Sequence, residues 1–227
     1  MRIFLMGATG ATGSELVLRC LQNPNVTELI VLARKPAPLS NPKLTWIVKK
    51  DLLQCNESDW DILKGVDGVL CALGTTQAQT PDPTMYYAID VDLPVTLSYF
   101  AKIHKVPVFA VISAVGANPK SLFSYSRYKG KMELQISAHK HPLTLIFRPS
   151  LIHAKRDPKR LGESIAYSIL RGLDPIVPHA YKYVSAHKLA SFILDKVLNT
   201  KPVEEQVLLH VFNSSEISKY KVVDEGA

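Results

Sequence analysis

Seven residues near the N-terminus, Gly7-Ala8-Thr9-Gly10-Ala11-Thr12-Gly13, constrain this chain more than any other segment. They follow an apolar run, Ile3-Phe4-Leu5-Met6. They precede a helical pattern over 13–22 in which Leu16, Val17, Cys20 and Leu21 share one face. Glycines at three-residue spacing between a buried strand and an amphipathic helix allow a tight turn and let the backbone approach a pyrophosphate. The helix N-terminus behind the turn contributes free N–H groups and the positive end of its dipole. Gly7, Thr9, Gly10, Ala11, Thr12 and Gly13 are therefore the expected phosphate cradle.

The rest of the chain repeats the alternation. Short apolar runs at 29–32, 46–48, 67–73, 107–112 and 143–147 read as strands, and helical patterns cover 86–104 and 122–140. Pro94 has to lie in the first turn of its helix or kink it. Strands without polar alternation, separated by helices, are what a parallel sheet covered on both faces requires. The fold expected is α/β: a doubly wound, Rossmann-type parallel sheet flanked by helices. Beyond 150 the pattern becomes irregular. A basic, proline-containing loop at 154–160 is followed by helix candidates at 161–171 and 186–198 and a last strand around 206–212. With 227 residues, no repeat and no linker, one domain over 1–227 is expected, its portion from about 150 lining the substrate side.

The end of the second strand meets the adenosine ribose in such sheets, and an acid there selects NAD. Here the strand ends Ala33-Arg34-Lys35, and Glu28 lies at the opposite end. Two cations suit a 2′-phosphate, Arg34 by its fork and Lys35 as a point charge. NADP(H) is thus expected ahead of NAD(H).

Tyr125 and Lys129 form a Y-x-x-x-K pair. With nine tyrosines in a lysine-rich chain the motif alone carries little. Its position carries more. It lies on the helix after the fifth strand, so both side chains share a face one turn apart. Ser113 ends that strand, where strand carboxyl ends converge on a cofactor cleft.

These segments together resemble the short-chain dehydrogenase/reductase superfamily, and within it the atypical branch of Tat-interacting-protein oxidoreductases. The resemblance rests on the glycine loop, Cys71-Ala72-Leu73-Gly74-Thr75-Thr76, Ile112-Ser113-Ala114, Tyr125 to Gly130, and Phe147-Arg148-Pro149. One departure is Ala114, where relatives often have a second serine. The resemblance implies a catalytic trio. Tyr125 is the general acid for a small carbonyl or hydroxyl substrate. Lys129 and the oxidised nicotinamide together lower the phenol pKa, Lys129 also holds the nicotinamide ribose, and Ser113 polarises the substrate oxygen. It also implies cofactor contacts at Asp51 and Leu52 near the adenine, at Leu73, Gly74 and Thr75 beside the cofactor, and at Arg148 and Pro149 where the substrate loop opens. Lys129 could instead pair with Glu133, and Arg148 could be a structural ion-pair partner. A non-catalytic NADP(H)-binding redox sensor is the rival function, since one fold serves many ends.

Charge bears on the partner. The chain carries 27 basic and 20 acidic residues. Residues 102–171 hold 13 of the basic and 3 of the acidic ones, around Ser113, Tyr125 and Lys129. An anionic small-molecule substrate or a cofactor phosphate explains this better than nucleic acid, for which no module is visible. Three scattered cysteines argue against a disulfide framework or zinc site. His139, His141, His153, His179 and His187 read as surface or loop residues. An opening apolar run of four is too short for a secretory signal, and no stretch approaches a membrane span. A cytoplasmic location is expected, with no membrane partner and the oligomeric state left open.

Overall fold

In the computed structural model, residues 1–153 and 184–222 are described. Seven parallel strands form the main sheet: β1 (Arg2–Met6), β2 (Glu28–Ala33), β3 (Leu44–Val48), β4 (Gly68–Cys71), β5 (Val108–Ile112), β6 (Leu143–Phe147) and β9 (Leu208–Phe212). A two-residue parallel pair, β7 (Ile152–His153) with β8 (Val184–Ser185), stands apart. The main order is β3-β2-β1-β4-β5-β6-β9. The chain runs outward from β1 to β3, then returns to β4 and continues the other way. That reversal creates the crevice where doubly wound sheets bind ligands.

Both faces of the sheet are covered, so the inner strands are apolar throughout. On one face Ile3, Leu5, Leu29 and Val31 pack with Leu16, Val17 and Cys20 of helix α1 (Ala11–Gln22) and Leu189, Ile193 and Val197 of helix α5 (Ala186–Asn199). On the other, Phe4, Met6, Val69 and Phe109 pack with Leu97 and Ala101 of helix α3 (Leu93–Ile103) and Met132 and Ile136 of helix α4 (Ser124–Ala138). A 3-10 segment, Glu57–Leu63, brings Trp60 into this second core, stacked on Phe100 with centroids 5.4 Å apart. A fully buried large side chain of this kind stabilises by about 1.5–3 kcal/mol.

The helix expected over 86–104 is a composite. A short α2 (Pro83–Tyr87) runs into a π turn (Ala88–Asp92) and then into α3. Pro94 sits in the first turn of α3. It has no N–H to donate to the carbonyl of Asp90, and its ring crowds that carbonyl. The wider π turn relieves the conflict. The last strand extends the sheet beyond β6, followed by α6 (Ser214–Lys219), which the sequence pattern did not reveal. The helix expected at 161–171, the basic loop at 154–160 and His179 lie outside the described residues.

Two of the histidines expected at the surface are not there. His141 is fully buried, its ring stacked on Phe109 at 5.0 Å and its Nε2 2.9 Å from the Ser98 hydroxyl. His139 is half-buried and shares that hydroxyl through Nδ1 at 2.8 Å. The partner that makes this burial tolerable comes from α3, about forty residues away in sequence.

Candidate active site

The glycine loop turns as its spacing requires. Gly7 adopts φ +95°, and a Cβ there would lie 2.5 Å from the backbone carbonyl of Ala72. Glycine is needed at this position both for the dihedral and for the approach to the exit of β4. The Gly10 N–H donates to the Gly7 carbonyl at 3.1 Å. A Cβ on Gly13 would collide with the same carbonyl, so the start of α1 lies tight against the loop. No side chain caps α1 at Gly10, which leaves its first-turn amides open to an anion. Thr9 is exposed, Ala11 is half-buried and Thr12 is buried.

The end of β4 links this loop to the second half of the site. The Ala72 N–H donates to Met6 at 2.8 Å. Leu73 and Gly74 follow. A Cβ on Gly74 would sit 3.8 Å from Lys129 Nζ and 3.9 Å from Asp90 Oδ1. Thr75 donates its N–H to Asp90 Oδ1 at 2.7 Å, and its hydroxyl meets that of Thr80 at 2.8 Å.

Lys129 is buried on α4 and forms an ion pair with Asp90, Nζ to Oδ2 at 3.0 Å. Asp90 itself is 0% exposed. Burial alone would depress the Lys129 ammonium, but Asp90 and Tyr125 outweigh it and the pKa moves up. Gly130 follows Lys129 because a Cβ there would strike the backbone of Asn118 and Pro119. The glycine seats α4 against the loop leaving β5. Tyr125, one turn before Lys129, keeps 45% of its surface exposed. Burial raises its phenol, Lys129 draws it back, and Asp90 pushes it up again; the net direction is upward. Lys129 thus acts on the phenol in the expected direction, but desolvation is the largest influence and Asp90 opposes the lysine's charge. Ser113, at the end of β5, is buried, and its Oγ has no hydrogen-bond partner among the described residues. Such an orphaned donor is costly unless a ligand engages it.

Six other expected contact residues have specific places in the structure. Arg148 donates to Glu133 through Nε at 2.9 Å and Nη2 at 2.5 Å. This is the structural ion pair that was the alternative to a cofactor contact for Arg148, and it engages Glu133 in place of Lys129. Pro149 is buried, its carbonyl accepting from the Val115 N–H at 2.8 Å. Asp51 caps the short 3-10 turn Leu52–Gln54, its Oδ1 accepting the Leu53 N–H at 3.0 Å, while Leu52 is buried in the core. Arg34 and Lys35 stand exposed past the end of β2.

Among the described residues, the basic stretch does not form one basic surface. Lys129 and Arg148 are paired with acids. Lys105 and Lys140 lie past the C-terminal ends of α3 and α4, leading into β5 and β6, and Lys102 donates to the Lys140 carbonyl at 2.5 Å. They stand at the opposite ends of the strands from Ser113, near helix C-termini that favour cations. Five further cations of the stretch, Lys155, Arg156, Lys159, Arg160 and Arg171, lie outside the described residues.

Asp90 is the residue that reading the sequence missed. An acid inside a helical stretch reads as solvated. The signal was Pro94 four residues on, which forces the π turn that turns Asp90 inward.

A glycine cradle at an uncapped helix, a ledge at Gly74, a buried lysine and an unpaired serine hydroxyl fit a dinucleotide and a small substrate. The profile of the NAD(P)H-binding family matches residues 7–198. The chain belongs to that family. A relative in Emericella nidulans, "Protein fmp52, mitochondrial", is 33% identical over 169 residues, 72% of each chain. A Candida albicans protein of the same name is 30% identical over 175 residues, 74% of this chain and 75% of its own. These names overturn the expected cytoplasmic location: the short apolar start argued only against a secretory signal. Among solved structures, "MoeE5 in complex with UDP-glucose and NAD" superposes with TM-score 0.70 at 16% identity, covering 94% of this chain and 76% of that one. UDP-glucuronic acid 4-epimerase from Bacillus cereus, in complex with NAD, gives 0.69 at 15%, covering 95% and 78%. At such identities the likeness shows the fold, a Rossmann-like α/β domain. The family makes this an NAD(P)H-binding domain.

Proposed function

We propose that this protein is an NADP(H)-dependent oxidoreductase of the short-chain dehydrogenase/reductase type, acting on a small carbonyl or hydroxyl substrate. The observation that carries the reading is the buried Lys129, fixed beside Gly74 at the exit of β4, one helical turn from Tyr125. The loop from Gly7 to Gly13 and the start of α1 would hold the pyrophosphate, Arg34 and Lys35 the 2′-phosphate, and Gly74 and Lys129 the nicotinamide end. When bound, the nicotinamide supplies the hydride chemistry. Tyr125 hands its phenolic proton to the substrate oxygen. Ser113 donates a hydrogen bond to that same oxygen and stabilises charge as it develops. Lys129 keeps the phenol in position and answers the charge left on it.

The resemblance to the Tat-interacting-protein branch rests on the motifs alone, and the relatives' names favour a mitochondrial setting for this chain as well. The test pairs binding with turnover. NADPH and NADH are titrated against the whole chain, and carbonyl reduction is then followed for the native protein and Tyr125→Phe. NADPH should bind tighter, and the variant should bind it equally while losing turnover. Tighter NADH binding overturns the NADP assignment. Unchanged turnover in Tyr125→Phe overturns the catalytic role.

A further inference from the structure

The ion pair between Asp90 and Lys129 has more than a packing role. Both groups are buried, and Asp90 is anchored on its other oxygen by the Thr75 N–H. The carboxylate thus holds the ammonium from one side while Tyr125 lies one turn along α4. Two charged groups among the described residues act on the Tyr125 phenol: Lys129 from α4 and Asp90 from the π turn. The other titratable neighbours of the pair are Tyr86 on α2, Tyr128 on α4 and Cys71 on β4. Burial and Asp90 raise Tyr86, and Tyr128 lies 5.7 Å from it, ring to ring. Burial pushes the Cys71 thiol up to about 11, so it carries no charge near neutrality.

We propose that Asp90 is a positioning residue that clamps Lys129 and balances its charge, so that Tyr125 enters the reaction as a proton-bearing phenol and the site is built for carbonyl reduction. This rests on the reductase reading given above. A lone buried cation one turn away would favour tyrosinate. A lysine already neutralised by a carboxylate favours it far less, and a phenol that keeps its proton is the form that reduction needs. In that step the substrate carbon gains a hydride with its electron pair from reduced nicotinamide. The carbon–oxygen π bond breaks, the oxygen takes the Tyr125 proton, and the resulting tyrosinate recovers a proton from water. The reverse reaction has to start from tyrosinate, which this arrangement disfavours. Lys129 remains charged and in place in both directions.

The experiment reads tyrosine ionisation by ultraviolet difference absorption in the whole chain, with neither cofactor nor substrate. Tyr125→Phe identifies the Tyr125 transition by its loss. Asp90→Asn keeps an oxygen for the Thr75 N–H and removes the negative charge. It should move the Tyr125 transition down by about one pH unit or more, and the pH profile of alcohol oxidation should shift down with it. An unmoved transition in the folded variant overturns the proposal. Lys129→Met provides the opposite arm and serves if Asp90→Asn does not fold: the transition should rise, and a fall or no change overturns the proposal. Because the titration needs no turnover, its failure is separate from that of the reductase reading, which falls if no carbonyl is reduced by the native protein.

Discussion

The Arg148 guanidinium grips the Glu133 carboxylate through two hydrogen bonds, and so ties the end of β6 to the middle of α4. Glu133 lies one turn beyond Lys129, so the pair fixes the helix that carries the proposed acid. Its geometry is the two-pronged one that favours arginine over lysine. Arg148→Ala leaves Glu133 buried without its partner. It should lower stability by about 2 kcal/mol, read as a shifted urea midpoint with unchanged slope. Arg148→Lys should recover only part of the loss. If Arg148 were mainly a cofactor contact, NADPH affinity would fall and the midpoint would stay.

The loop makes a sharper steric statement. Gly7→Ala demands a φ of +95° from an L-residue and drives a Cβ into the Ala72 carbonyl. A cost of about 1–3 kcal/mol is expected from the backbone strain, with NADPH binding weakened in titration. Gly65, at φ +72°, is the control. Its nearest neighbour is an Arg2 side-chain nitrogen 3.4 Å away, and it lies at the other end of β4. Gly65→Ala should cost stability and leave NADPH binding intact. If both variants bind alike, the Gly7 loop is not the phosphate cradle.

What the sequence revealed and what it hid follow one physical division. The glycine loop was legible because its constraint is local: a dihedral and a close approach that only glycine meets. Tyr125 and Lys129 were legible because helical spacing brings them together. Asp90 was not, since its partners Thr75 and Lys129 come from separate elements and its inward turn depends on Pro94. Glu133 was read as a partner for Lys129 and Arg148 without a named acid; their pairing shows only once the end of β6 lies beside α4. His141 looked like a loop residue because its burial depends on Ser98, reached only once α3 lies against α4 and β5. The described part of the basic stretch divides for the same reason: Lys105 and Lys140 lie at the opposite ends of the strands from Ser113.

Cofactor choice should lie in Arg34 and Lys35. Both are exposed beyond β2, so each is free to meet a phosphate without first losing a buried contact. Arg34→Ala should lower the preference for NADPH over NADH by about tenfold, the worth of one charge-assisted hydrogen bond. Lys35→Ala should lower it less. NADH binding itself should hardly move. Equal losses for both cofactors in a calorimetric titration would mean that the two cations serve the loop's shape instead.

Stability should depend on pH through His141. Burial pushes its pKa down to about 4, with His139 and Lys102 acting in the same direction, and burial lowers His139 too. In the unfolded chain the imidazole titrates near 6.5. Above that pH neither state binds the proton and stability is complete. Between 6.5 and 4 the unfolded chain takes up a proton that the folded chain refuses, so stability falls as pH falls. Below about 4 both states are protonated and this contribution levels off. The total loss should be roughly 3 kcal/mol, measured as the drop in unfolding free energy between neutral pH and pH 4. His141→Phe keeps a ring stacked on Phe109 and removes the titrating group. Its stability should fall much less over the same interval, though the Ser98 hydroxyl then keeps only His139. An equally steep loss in that variant would place the acid sensitivity elsewhere in the molecule.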